Sequence, residues 1–363
     1  MSRLTDPWTD AGPAPAASAP SRPPGTASPM ADGSPWSASA GRRAETVRAQ
    51  DDPVAGFEPV AERTARRYAH RPALSVWSRS LRGLGSLFRH DPVPGRLAAH
   101  AEAVQAPVTT GRRLAVVSLR GGAGKTTVSA LLAGTFAALR PEPVAAVDLD
   151  PHLGSLGLRL GAADPSSPAP SADALAAALA QLATPSLEAV TDRMAPSGQD
   201  LFHTGPRMAG RPLGAASATT LLAGLSRFFP VTVLDCPTGP QAPDTAAALT
   251  RSHAAILVVP STPAGVDEAA GYLRHWLEDE ILSTIPVAAA VVATDARAVL
   301  NPLAQAAALS RLGVLSVALR YDRHLAAGIR VSLPLARPEN RVAAAELAGQ
   351  ALGLANDPRG GRR

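Results

Sequence analysis

One glycine-rich stretch, residues 118–127 with the sequence SLRGGAGKTT, constrains the fold of this chain more than any other. It overlaps the end of the apolar run LAVVSL at 114–119 and leads into an Ala- and Leu-rich stretch that predicts a helix over about 124–139. A strand, a glycine-rich turn ending in Gly-Lys-Thr and a helix form the layout of a P-loop, whose backbone N–H groups bind phosphate. The predicted phosphate-binding residues are Gly121, Gly122, Ala123, Gly124, Lys125, Thr126 and Thr127.

Lys125 is the only lysine among the 35 Lys and Arg residues of the chain. The other 34 are arginine, so arginine supplies the positive charge at every other basic position. The lysine ammonium is a compact point charge that fits between β- and γ-phosphate oxygens, and the planar guanidinium of arginine is not an isosteric replacement. The single lysine at this position supports a phosphate-binding role for the turn.

The pattern downstream of residue 112 predicts an α/β fold. Short, continuously apolar runs alternate with helical stretches, which indicates βαβ units and a mostly parallel sheet covered by helices on both faces. The predicted strands are 114–119, 143–150, a short one near 200–205, 231–237, 254–260, 287–293 and 314–319. The predicted helices are 124–139, 171–184, 215–228 and 340–355.

Composition divides the chain into three regions. Residues 1–58 are rich in Pro, Ala and Ser without periodicity, so we expect a disordered N-terminal extension. Residues 59–111 are Arg-rich and predict a partly helical linker, and residues 112–357 predict the nucleotide-binding domain. The single cysteine, Cys236, excludes an internal disulfide framework, and the N-terminus has no apolar signal-peptide core. No apolar run is long enough to span a membrane, so we expect a cytoplasmic protein.

The linker contains an apolar stripe at helical spacing with arginines beside it. Such a segment can bind an anionic membrane surface or DNA, dock on a protein partner, or pack on the chain's own nucleotide-binding domain. We prefer packing on the chain's own nucleotide-binding domain or docking on a protein partner to binding of membrane or DNA. The stripe consists of Trp77, Leu81, Leu84 and Phe88, with Arg79, Arg82 and Arg89 off it.

Two acidic motifs follow the predicted strands. Asp148 and Asp150 end the strand PVAAVDLD, at the edge of an open α/β sheet where ligand groups collect. Asp235 follows the apolar residues of VTVLD, as a Walker B aspartate does, and Gly239 comes four residues later. We expect Asp235 to hold Mg²⁺ through water, with Thr126 as a direct hydroxyl ligand.

The glycine-rich turn resembles the deviant Walker A motif, KGGxGK[ST], of the MinD/ParA family of ATPases, which belong to the SIMIBI class of P-loop proteins. Leu119 stands where the standard motif has its first glycine, and Arg120 stands where the family has its signature lysine. In the family that lysine reaches the nucleotide of the partner subunit. Two roles therefore remain open for Arg120: a trans contact across a dimer, or a contact with its own phosphates or solvent.

The resemblance extends to both acidic motifs. The DLDP motif is similar to the family's switch I, which implies that Asp150 positions or activates the attacking water and that Asp148 lies near the P-loop and the Mg²⁺ shell. The family usually has DxPPG in switch II where this chain has DCPTG, and the resemblance implies that the Gly239 amide senses the γ-phosphate. ATP as the nucleotide and a nucleotide-dependent homodimer are likewise implied by the resemblance.

The chain is most similar to the MinD-like ATPases linked to type VII (ESX) secretion, through its Pro-rich N-terminus, its Arg-rich segment before the domain and the late motif YDRHLAAG. That resemblance implies protein partners for residues 1–111, including the secretion machinery. Three functions remain open: an ATP-hydrolysing switch that dimerises, an adaptor that binds nucleotide without hydrolysis, and a ParA-like partitioning or positioning ATPase. Peripheral binding at the inner face of the membrane also remains open.

Overall fold

A central eight-stranded sheet organises the computed structural model, which describes residues 93–152, 154–161, 169–182, 185–198, 200–208 and 210–357. The strand order is β3-β4-β2-β5-β1-β6-β7-β8. Every pair is parallel except β3–β4, which is antiparallel at one edge. The strands are β1 (Arg112–Val117), β2 (Val144–Asp148), β3 (Ala195–Pro196), β4 (Leu201–His203), β5 (Val231–Asp235), β6 (Ala254–Pro260), β7 (Val287–Val292) and β8 (Leu315–Leu319).

Helices connect these strands, so the predicted α/β fold is confirmed. The described residues contain α1 (Val93–Val104), α2 (Lys125–Leu139), α3 (Leu156–Leu160), α4 (Ala172–Gln181), α5 (Leu187–Thr191), α6 (Ala215–Leu225), α7 (Pro243–Leu249), α8 (Pro263–Glu278), α9 (Pro302–Ser310), α10 (Arg323–Ala326) and α11 (Pro338–Asn356), with 3₁₀ turns at Leu282–Thr284 and Leu333–Leu335. The sequence analysis did not predict α8, although Thr262 caps it and Pro263 begins it. The region 1–58 and the apolar stripe lie outside the described residues.

Two hydrophobic layers cover the two faces of the sheet. Alternate residues of β1 point to opposite sides, so Leu114 and Val116 pack with α2 and α11, while Ala115 and Val117 pack in the layer with α4, α6 and α8. Both sets are fully buried or nearly so. This two-sided burial explains why the strands are continuously apolar in sequence rather than alternating.

Helix α1 packs on the closing helix α11. A Cβ at Gly349 of α11 would lie 2.9 Å from the Cβ of Ala103, so the two helices approach closely at that glycine. Arg140 is buried and donates hydrogen bonds to the carbonyl oxygens of Val104, at 2.7 Å, and of Ala106, at 2.9 Å. The segment that the sequence analysis assigned to a linker therefore contributes a packed helix just before β1.

The carboxyl ends of three parallel strands meet at one edge of the sheet. In the strand register Asp235 at the end of β5 pairs with Val116 of β1 on one side and with Asp148 of β2 on the other. The glycine-rich turn leaves β1 at this same edge. The sheet thus brings the turn and the two acidic motifs together, as the topology of an open parallel sheet predicts.

We predict that α1 contributes to the stability of the domain. Removal of residues 1–106 should lower the free energy of unfolding by roughly 3 kcal/mol or more, because the core loses the buried side chain of Val104 and Arg140 loses its carbonyl acceptors on residues 104 and 106. The chain lacking residues 1–91 is the matched reference, because it retains α1 and both acceptors of Arg140. Urea unfolding followed by circular dichroism measures both, and equal stability of the two truncated chains would contradict the prediction.

Candidate functional site

The glycine-rich turn has the backbone that a P-loop requires. Gly122 and Gly124 have φ angles of 74° and 91°, which lie in the left-handed region that residues with a side chain adopt only at a cost. Lys125 immediately follows as the first residue of α2. The first N–H groups of a helix have no partner within the helix, so this turn offers several donors at one point.

Lys125 is the cation at the base of this turn. Its side chain is 9% exposed, and its Nζ lies 3.5 Å from Oδ1 of Asp235, which is itself buried. Ser129, one helical turn after Lys125, donates from its hydroxyl to the same oxygen at 2.8 Å. The sequence analysis missed Ser129, although its position four residues after the lysine could have indicated it.

Asp148 faces the turn that follows β2. Its carboxylate accepts the N–H groups of Asp150 and Leu156, both at 3.1 Å. A Cβ at Gly154 would lie 2.0 Å from this carboxylate, so only glycine fits there. Burial, and next the negative charge of Asp235, raise the pKa of Asp148 to about 7. Asp148 therefore holds the turn that carries Asp150, a role that the sequence analysis did not assign.

A cavity of about 260 Å³ lies between the glycine-rich turn, the turn after β2 and the loop after β5. Ser155, Arg159 and Thr238 line it together with most of the predicted site residues. The predicted residues on its wall are Arg120, Gly122, Ala123, Gly124, Lys125, Thr126, Thr127 and Asp150. Gly121, Asp148, Asp235 and Gly239 are not on this wall.

Gly239 lies close to the glycine-rich turn through a backbone contact. Its φ is 88°, and its N–H donates to the carbonyl oxygen of Ser118 at 2.9 Å. The amide that we expected to sense a phosphate is thus engaged with the end of β1. Cys236 is buried, and this burial raises the pKa of its thiol, which agrees with a packing role.

A second cavity, of about 250 Å³, adjoins the first. Gly122, Gly124, Thr127 and Arg159 line both cavities, so the two share a wall. The remaining wall is an apolar surface with polar groups at its margin. It is formed by Val128, Leu131, Val292, Ala293, Thr294, Leu319, Arg320, Asp322, Leu325 and Ala326.

Arg159 was not identified from the sequence. One of its Nη groups donates to the carbonyl oxygen of Leu325 at 3.2 Å, and burial lowers the pKa of its guanidinium. It lies in the short helix α3 and extends between the two cavities. No local motif marks it, because the contact with Leu325 joins residues 166 positions apart.

Arg120 forms an ion pair that neither of the two roles left open by the sequence analysis predicts. Its guanidinium donates two hydrogen bonds to the carboxylate of Glu268 in α8, one of them from Nε at 2.5 Å. Both side chains are about half exposed. The hydrogen bonds raise the pKa of Arg120 and lower that of Glu268. Arg120 is therefore held by an acid of its own chain at the mouth of the cavity.

Neither a metal-ligand cluster nor a membrane-spanning helix is found in the part of the chain that the structure describes. No group of three or more His, Cys, Asp and Glu side chains there has the arrangement of a metal site. None of the helices described is long and apolar enough to cross a membrane.

Comparison with known proteins agrees with this arrangement. Residues 114–315 match the family described as the CobQ/CobB/MinD/ParA nucleotide binding domain. The match covers more than half of the chain and includes the glycine-rich turn and both acidic motifs. The chain belongs to this family.

Among its relatives is the ESX-1 secretion-associated protein EspI of Mycobacterium tuberculosis strain H37Rv, which is 30% identical over 266 residues. The aligned region is 69% of this chain but 37% of that relative, so the chain spans little more than a third of the curated protein's length.

Solved structures share the fold. MinD in the MinC:MinD cell division complex of Aquifex aeolicus is 16% identical, with a TM-score of 0.50 over 67% of this chain and 96% of that one. The septum site-determining protein MinD of Pyrococcus horikoshii, solved with Mg-ADP, is 20% identical, with a TM-score of 0.48 over 68% and 96% of the two chains. At these identities the likeness concerns the fold.

We predict that Asp148→Asn flattens the pH dependence of stability between about pH 4 and 7. The pKa of Asp148 in the folded chain is about 7, above its ordinary value of 3.8. The folded chain therefore retains a proton that the unfolded chain has released. The stability that this proton contributes is lost as the pH rises, at up to about 1.4 kcal/mol per pH unit.

Asparagine does not titrate, so the variant lacks this slope. Urea unfolding from about pH 4.5 to about 7.5, without nucleotide or Mg²⁺, measures the two slopes. Other titrating groups are common to both chains and cancel in the difference. Equal slopes would show that folding does not raise the pKa of Asp148.

Proposed function

We propose that this chain binds Mg-ATP in the two adjoining cavities and hydrolyses it to ADP and phosphate, slowly and with stimulation by a partner. The observation that supports the proposal best is Lys125, buried against Asp235 at the base of a glycine-rich turn that begins a helix. A buried ammonium beside unpartnered helix N–H groups favours a polyphosphate over a neutral ligand. Membership of a nucleotide-binding family supports the same conclusion.

The residues present suit this ligand. The N–H groups of residues 121–127 and the ammonium of Lys125 would bind the phosphates, and the apolar second cavity would accept the base. Thr126 and Asp235 have the oxygen ligands that Mg²⁺ prefers, Asp235 acting through water. Mg²⁺ would neutralise charge on the phosphates. Asp150, on the wall of the first cavity, would position the attacking water.

A nucleotide-dependent homodimer is part of this proposal. The mouth of the cavity is open to solvent and carries Arg120 at the position of the family's signature residue. In a dimer the guanidinium of Arg120 would leave Glu268 and contact the nucleotide bound by the partner subunit. An adaptor that binds nucleotide without hydrolysis is the second candidate. The pairing of Arg120 with Glu268 favours it, because the paired guanidinium does not contact a transferring phosphate.

The cellular role that we propose is a MinD-like switch serving type VII secretion. Its support is the similarity to EspI, an ESX-1 secretion-associated protein. Residues 1–111 would bind protein partners of the secretion machinery from the cytoplasm, including at the inner face of the membrane. A ParA-like partitioning role is the alternative, and it requires salt-dependent DNA binding, because phosphate contacts release counterions.

We predict that Lys125→Ala weakens Mg-ATP binding by about 100-fold or more, because it removes a charge-assisted contact with the phosphates and leaves Asp235 buried without its cation. Isothermal titration calorimetry measures the affinity. Arg297→Ala, which removes a charge from an exposed position, is the matched control and should bind as the wild type does. Unchanged affinity of Lys125→Ala would refute the P-loop assignment.

We predict further that Mg-ATP doubles the mass of the particle in solution, and that Asp150→Ala makes the dimer persist because hydrolysis is blocked. Light scattering with ATP, with ADP and without nucleotide measures this. One mass under all three conditions would exclude a dimerising switch.

If Arg120 acts in trans, Arg120→Ala weakens the dimer by about tenfold or more, while the affinity of the monomer for nucleotide stays nearly unchanged.

A further inference from the structure

Arg207 is a buried arginine outside the sequence motifs. It is fully shielded from solvent, although the next residue, Met208, is 80% exposed. Arg207 and Gly210 both contact the turn that carries Asp150. Because arginine stays charged in proteins, a guanidinium at this depth requires acceptors for its donors and a compensating negative charge.

One guanidinium joins three elements of the fold. The Nη1 group of Arg207 donates to the carbonyl oxygen of Leu149, at 2.9 Å, and to Oδ2 of Asp244, at 2.7 Å. Its Nε donates to Oδ2 of Asp173 at 2.6 Å, and Nη2 donates to the carbonyl oxygen of Arg211 at 3.0 Å. The guanidinium of Arg207 thus links the residue after β2 to the first turns of α4 and α7.

Gly210 contacts the turn of Asp150 on its other side. The N–H of Gly210 donates to the carbonyl oxygen of Pro151 at 3.2 Å, and Arg207 holds the carbonyl of Leu149. The carbonyl groups before and after Asp150 are therefore bound by Arg207 and by Gly210, respectively. Asp150 itself lies on the wall of the cavity, and its Oδ1 accepts the N–H of His152 at 2.9 Å.

Asp244 connects Arg207 to the opposite wall. It lies in α7, which follows the loop that carries Thr238, and its Oδ1 accepts the N–H of Leu213 at 2.7 Å. Thr245 donates from its hydroxyl to the carbonyl oxygen of Pro237 at 3.1 Å, which ties the start of α7 to that loop. A displacement of either wall would therefore strain the hydrogen bonds of Arg207.

We propose that Arg207 is a positioning residue that couples the turn bearing Asp150 to the loop bearing Thr238, so that the two walls of the cavity close on nucleotide together. This inference rests on the proposed function. Arg207 does not line the cavity and acts through the backbone of its neighbours. A lysine would keep the charge, but its single ammonium cannot reproduce the planar fork that reaches Leu149, Asp173 and Asp244.

A purely structural role is the competing explanation, because a buried arginine between two acids also stabilises the fold. Arg140 is the matched control. It is buried as well, donates to the backbone carbonyls of Val104 and Ala106, and lies near α1, outside both cavity walls. Arg140→Lys should lower the melting temperature without changing the turnover number for ATP or the affinity for nucleotide.

The test compares Arg207→Lys with Arg140→Lys below the melting temperature of both. We expect Arg207→Lys to lower the turnover number by about ten- to a hundredfold, since misplacement of a reacting group has effects of that size. Its affinity for Mg-ATP should stay within about threefold of the wild type, because the phosphate-binding turn is unchanged. A wild-type turnover number in Arg207→Lys, or equal losses in both variants, would overturn the proposal.

Amide hydrogen exchange gives a readout that does not depend on hydrolysis. In the wild type, Mg-ATP should slow exchange at residues 149–156 and at 236–244 together, whereas in Arg207→Lys the slowing should be lost in one of the two segments. Joint slowing in the variant would overturn the coupling. A wild-type chain that binds Mg-ATP but releases no phosphate contradicts the hydrolysis proposal alone, and the exchange measurement then decides the role of Arg207.

Discussion

The buried contact between Lys125 and Asp235 is the interaction on which the rest of the site depends. A buried charge must be paired, and here the lysine at the start of α2 meets the last residue of β5 at 3.5 Å. Because β5 lies between β1 and β2, this contact sets the glycine-rich turn against both acidic motifs. Ser129 supports the pair through the same carboxylate oxygen.

Asp148 is a second buried acid beside the Lys125–Asp235 pair, and its hydrogen bonds shape the turn after β2. Asp148 lies beside Asp235 in the strand register, and the fold satisfies its carboxylate with two backbone N–H groups. These hydrogen bonds close the turn so tightly that residue 154 must be glycine. The position of Asp150 thus follows from how the chain accommodates a neighbouring buried acid.

The contacts of Arg207 lie behind the site, and Arg207 itself does not line the cavity. Arg207 binds the backbone next to Asp150 and the first turn of α7, and its two carboxylate partners compensate its charge. At the open side, the exposed pair of Arg120 and Glu268 is a weaker contact, because solvent screens it. Buried contacts with compensated charges thus connect the elements behind the cavity, and a solvent-screened ion pair lies at its mouth.

The sequence by itself determined the parts that are encoded locally: the glycine-rich turn, the apolar strands, the helix after Lys125 and the acids at the ends of β2 and β5. Each depends on a short pattern that adjoins a strand end, and parallel topology brings strand ends together. The tertiary structure alone decided the partners of those residues. Glu268 lies 148 positions from Arg120, and the contacts of Arg207 extend over 58 positions, so no local spacing reveals them. Such pairs form where packing brings elements that are distant in sequence together, and for the buried Arg207 the charge must also be compensated.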